Sequence, residues 1–173
     1  MKSPTQILID EHKNILKIAE ALTEECDALE SGKKLNKDFF SNAVEFVREY
    51  ADRFHHAKEE DILFKELCKP EAEMHCNPVE QMLCEHNLGR NFVKGMEEAL
   101  KEGNKDRVIE NARGYAQLIQ EHINKEDNIL YPMADEALSE KSKKSMLKEF
   151  EKAEKAKKKE KDKSLAFIRR LQK

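Results

Sequence analysis

Two ten-residue stretches of this chain are near copies of each other, and any fold it adopts has to place both. Residues 55–64 read HHAKEEDILF and residues 122–131 read HINKEDNILY. They agree at His, Lys, Glu, Ile and Leu, and Phe64 stands opposite Tyr131. Each contains His-x-x-x-Glu: His55 with Glu59, and His122 with Glu126. On a helix, residues four apart stand one above the other, so each pair can aim an imidazole nitrogen and a carboxylate oxygen at one point. Two such pairs suggest a metal site.

The duplication reaches further. Glu11-His12 opens one half and Glu85-His86 the other, and each is followed by its His-x-x-x-Glu helix. A separation of one helix up, a loop and one helix down lets the first His of each half lie level with the later pair. Two such hairpins face to face bring four His and two Glu to the middle of a bundle. A single His on an apolar helix face is ordinarily a core residue bonded to a backbone carbonyl. Four on inward stripes together with two acids are not, because an unpaired carboxylate in a core costs several kcal/mol.

The first copy also offers His56 with Glu60 at the same spacing. The register through His56 is polar, with Asp38, Asn42, Glu45, Glu49 and Asp52 before it, and its counterpart is Ile123. His56 and Glu60 are therefore expected at the surface, and His56 as a fifth imidazole is the alternative. Four imidazoles and two carboxylates without a thiolate suit Fe, Mn or Zn, and two carboxylates able to bridge argue for two ions. The net positive charge left on such a centre invites an oxide or hydroxide bridge. Open positions on a redox metal are where dioxygen, peroxide or nitric oxide would bind.

The rest of the chain supports an all-α reading. Of 173 residues, 39% are hydrophobic and 39% charged, with only five Gly and four Pro, which favours long exposed helices over sheets and turns. No apolar run approaches a membrane span and the first residues lack a signal-peptide pattern, so the chain reads as cytoplasmic, with Cys26, Cys68, Cys76 and Cys84 as reduced thiols.

Ser3-Pro4 with Gln6 starts a first helix running to about Gly32 and carrying His12 on its apolar stripe. Asn36 caps a second helix, Asn77-Pro78 starts a third that Gly103 stops, and a fourth begins near Asn104 or Asp106 and ends or kinks at Pro132. Tyr115, two turns before His122, either packs in the core or donates to an inner carboxylate. His75 and Cys76, in the connection between Cys68 and Cys84, match no known ligand spacing. Residues 141–173 carry 14 basic against 5 acidic side chains, which leaves the body acidic and the tail basic. Lysines alternating with glutamates, without interleaved aromatics, predict a solvated helix docked at its ends and no nucleic-acid partner. Disorder or a partner-binding tail fits the same pattern.

At MLCEHNLGR around His86, HHAKEEDILF and HINKEDNILYPMAD, the sequence resembles the hemerythrin-like family, the HHE cation-binding domains, over about residues 5 to 138. The resemblance implies an up-down antiparallel four-helix bundle over 1–138, with residues 139–173 as an additional charged helix or tail. It also implies a non-haem di-iron centre of two Fe ions with an oxo or hydroxo bridge, Zn or Mn being possible, on His12, His55, Glu59, His86, His122 and Glu126. The oxygen-carrying hemerythrins place a second His one turn before the third-helix His, where this chain has Met82. They place an Asp five residues after the last His, where the matching acid here is Glu126 at four. Four His and two Glu is similar to the branch holding iron-sulfur-cluster repair proteins and iron-sensing ubiquitin ligase subunits. The function expected is binding or sensing of dioxygen or a related small diatomic or peroxide. The alternatives are a di-iron enzyme consuming peroxide or nitric oxide or donating iron for cluster repair, and a structural or signalling bundle held by metal.

Overall fold

The computed structural model describes residues 2–72, 74 and 78–171, and the elements formed by these residues are all helical. Helix α1 (Pro4–Glu30) starts as expected: the Ser3 hydroxyl accepts from the Gln6 amide at 3.1 Å. Asn36 caps α2 (Lys37–Phe46) by accepting from the Phe39 amide, and Asn104 caps α5 (Lys105–Lys125) by accepting from Arg107. Each such cap satisfies an amide that the first turn cannot, a contribution of about 1 kcal/mol. Between them α4 (Val79–Glu102) ends at Gly103, whose φ of 68° is the left-handed conformation a helix stop requires. The expected cap Asn77 lies outside the described residues, as do His75 and Cys76.

The helix after α2 does not stay α-helical. Val47–His56 and Glu59–Leu63 are π-helical, leading into the short α3 (Phe64–Leu67). The second copy repeats the device, with a π-helical turn at Glu126–Leu130 leading into α6 (Tyr131–Ala137). Pro132 therefore does not end the fourth helix, which continues past the widened turn to Ala137. Residues 139–173 were expected as a single helix or tail. The described part forms two helices, α7 (Glu140–Ala156) and α8 (Lys158–Leu171), which bury Met146, Phe150, Phe167 and Ile168 against the body.

The apolar interior is divided. One cluster gathers Ile15, Phe54, Val93 and Ile119, and a second gathers Leu8, Leu63, Met82, Leu130 and Tyr131. Along α1 the order is Leu8, His12, Ile15, and along α5 and its continuation it is Ile119, His122, Glu126, Leu130. Each long helix thus passes from one cluster to the other through a histidine, and the histidines form a polar layer between two apolar ones.

Candidate metal centre

All six residues expected at the centre lie in that layer, none more than 2% exposed. His12, His55, Glu59 and Glu126 offer ligand atoms that all fall within 4.8 Å of one another, and so do His56, Glu59, His86 and His122. The imidazoles face one another in pairs, His12 Nε2 to His55 Nε2 at 2.9 Å and His86 Nε2 to His122 Nε2 at 3.1 Å. The two glutamates span the pairs. Glu126 Oε2 is 3.2 Å from His12 and its Oε1 is 3.2 Å from His122, while Glu59 Oε2 is 3.4 Å from His86 and 3.7 Å from His55.

Every ring of the four is held from behind by an acid. The Nδ1 of His12 faces Asp127 at 2.7 Å, that of His55 faces Glu11 at 2.9 Å, that of His86 faces Glu60 at 2.7 Å and that of His122 faces Glu85 at 2.8 Å. A carboxylate accepts, so each Nδ1 carries a proton and, in the neutral ring, each Nε2 presents a lone pair. Two lone pairs about 3 Å apart repel unless a cation lies between them. Glu59 Oε2 and both oxygens of Glu126 likewise lack hydrogen bonds among the described residues, although imidazole nitrogens lie near. Four nitrogens and three carboxylate oxygens turned inward on one another fit a pair of cations.

The charges agree. Burial opposes ionisation of Glu59 and Glu126, but His55 and His86 around the first, and His122 and His12 around the second, hold both carboxyls below their ordinary range. Burial would also lower the His12 imidazole, yet Asp127 and Glu126 carry it up to about 10, and Glu59 with Glu60 carries His86 up to about 9. Burial wins at His55, which falls well below its usual value. In the metal-free chain a proton on one ring of a facing pair stands where a cation would.

His56 was expected at the surface, and the structure corrects this. It is 6% exposed and stacks on His86 with ring centroids 3.8 Å apart. The π-helical stretch that ends at His56 widens the turns before it, so a register counted in α-helical steps runs ahead of the true one, and His55 and His56 straddle the inward face together. Both its ring nitrogens lack hydrogen bonds among the described residues. Glu60, also expected outside, is half-buried and bonds His86 and Arg90.

Tyr131 was not anticipated at the centre. Its phenol donates to Glu59 Oε1 at 2.5 Å and lies 3.3 Å from His12 Nε2. Burial beside Glu126 and Glu59 pushes the phenol well above its usual pKa, so it stays a donor. Tyr115, considered for that role, makes no side-chain hydrogen bond among the described residues.

The supporting acids also come in equivalent pairs. Glu11 and Glu85 each bond a lysine, Lys58 and Lys125, which occupy the same place in the two copies. Lys58 is 1% exposed under α7, its ammonium 3.8 Å from the Phe54 ring centroid and 5.4 Å from that of Phe150, whereas Lys125 is 31% exposed.

Over residues 3–134 the chain matches the family model of the hemerythrin HHE cation-binding domain. The chain belongs to that family. No curated protein and no solved structure matches it. The HHE match takes in both copies of the duplicated stretch and both Glu-His openings, and ends within α6. Cation binding is thus the family's property, and the inward-facing His and Glu cluster of this HHE domain is compatible with it.

Proposed function

We propose that this HHE domain is a non-haem di-iron protein whose centre binds or senses dioxygen or a related small oxidant. His12, His55, His86 and His122 would hold the ions, Glu59 and Glu126 would be shared between them, and His56 would add an imidazole at the His86–His122 end. The observation that carries the proposal is the pair of facing Nε2 contacts, each between rings whose Nδ1 is already committed to an acid. An up-down antiparallel order of four helices over residues 1–138, with 139–173 as an appended unit, and a cytoplasmic setting belong to the same reading.

Iron held there would supply redox chemistry toward an oxygen-containing ligand. The chain's own residues set the conditions. Asp127, Glu11, Glu60 and Glu85 fix the tautomer and tilt of each ring, which raises its basicity toward a cation. Tyr131 holds Glu59 by one oxygen and leaves the other facing His55 and His86. Apolar clusters flank the layer on either side and keep its surroundings of low polarity.

Anaerobic loading with ferrous iron should give about two irons per chain, and admission of air should then produce near-ultraviolet charge-transfer bands of a bridged ferric pair. Glu59→Ala and Glu126→Ala should each lower the iron content. A chain that stays colourless and iron-free after aerobic loading overturns the proposal.

A further inference from the structure

A cavity of about 190 Å³ opens beside the His86–His122 pair. Its inner wall is formed by His56, Gly89, Val93, Tyr115, Leu118 and Ile119. An apolar protein cavity of about 150 Å³ is enough to hold benzene, and a water molecule's share of liquid volume is about 30 Å³. A diatomic molecule or peroxide would leave most of this space empty, whereas a single ring with a substituent fills it.

Val47, Val93, Leu118 and Ile119 give the wall an apolar side, and His56 and Tyr115 stand on it with the charged residues of the mouth. Tyr115 is 2% exposed, and its hydroxyl has no hydrogen-bond partner among the described residues. A buried hydroxyl without a partner costs of the order of 1–3 kcal/mol, which an acceptor on a bound molecule removes. Burial holds the phenol far above its usual pKa, so it donates. The charges at the mouth are already matched: Arg48 with Glu97, Arg90 with Asp52 and Glu60, Arg53 with Glu49, and Glu85 with Lys125. Each of these side chains at the mouth already has an opposite partner, so none of them calls for an ionic ligand.

We propose that this cavity binds a neutral organic molecule of single-ring size whose one oxygen accepts from the Tyr115 hydroxyl. Such a ligand would sit against His56, next to the His86–His122 end of the centre, with its oxygen turned to Tyr115 and away from the imidazoles. The proposal stands on the cavity alone and does not require the metal reading.

Cyclohexanone serves as the probe, with methylenecyclohexane as the isostere that has no acceptor. Each is titrated into the full chain, zinc-loaded and metal-free, and followed by the methyl resonances of Val93, Leu118 and Ile119. Cyclohexanone should give saturable shifts at all three residues. Tyr115→Phe should weaken its binding roughly five- to tenfold while leaving methylenecyclohexane unchanged. Because the hydroxyl has no partner to lose, this variant should melt no lower than the parent. Absence of saturable shifts in both forms of the chain, or a Tyr115→Phe effect that is nil or equal for the two probes, overturns the proposal. A chain that takes up no metal and still binds cyclohexanone in this way upholds the cavity site while overturning the di-iron reading.

Discussion

His56 and Glu60 sit one residue beyond the expected pair His55 and Glu59, and both reach the centre by different routes. His56 stacks on His86 with neither ring nitrogen hydrogen-bonded among the described residues, while Glu60 holds the Nδ1 of His86 and is itself braced by Arg90. Removing an outer acid that orients a metal-binding imidazole typically costs 10–100-fold in affinity. Glu60→Gln should therefore weaken zinc binding roughly within that range, by competition with a chelator, and Glu59→Ala should weaken it more. The raised His12 and His86 give a second measurement. Groups raised to about 10 and about 9 are charged in the metal-free chain at neutral pH, and they stabilise it below the unfolded value near 6.5 and lose that effect as pH rises through 9 to 10. A cation has to displace both protons, so loading zinc at pH 7 should release roughly two protons per chain, read from calorimetry in buffers of different ionisation enthalpy. Affinity should rise with pH across that window.

At the scale of elements, the starts and stops were legible because they rest on local chemistry: Ser3, Asn36, Asn104 and Gly103 each do what their side chain or backbone favours. The duplicated His-x-x-x-Glu was legible for the same reason. The π-helical stretches were not, since nothing in an apolar periodicity of 3.6 announces a widened turn, and the error they cause falls on the residue just past the motif. A signal did exist at that position. Ile123 in the second copy is apolar and 3% exposed, so the aligned His56 belonged inside even though the residues before it were polar. The supporting acids were visible too, as Glu-His written twice and as a second acid directly after Glu59 and after Glu126, but sequence alone did not say that they faced the rings. The tail was ambiguous because Met146, Phe150, Phe167 and Ile168 are few among many lysines. Phe150 is 1% exposed, and truncation of a buried Phe costs about 3–5 kcal/mol, so Phe150→Ala should lower the denaturation midpoint accordingly.

Across the whole molecule, helices are joined at the surface by ion pairs such as Arg48 with Glu97, two contacts of 2.9 and 2.7 Å between the second helix and α4. The arginine holds the Glu97 carboxyl down to about 2. A depressed carboxylate stabilises the fold above its unfolded pKa near 4.5, and that contribution is lost as pH falls toward 2. The pair is a third exposed, so the effect is at most about 1 kcal/mol, and Arg48→Met should flatten the acid limb of the stability curve between those values. The two halves of the molecule repeat each other down to their lysines, but α7 roofs Lys58 and leaves Lys125 in contact with water. Equivalent in chemistry, the two ends are unequal in access. Stripping the protein with a chelator should therefore proceed in two kinetic phases, the His86–His122 end emptying first, and pass through a chain that carries a single ion under its C-terminal roof.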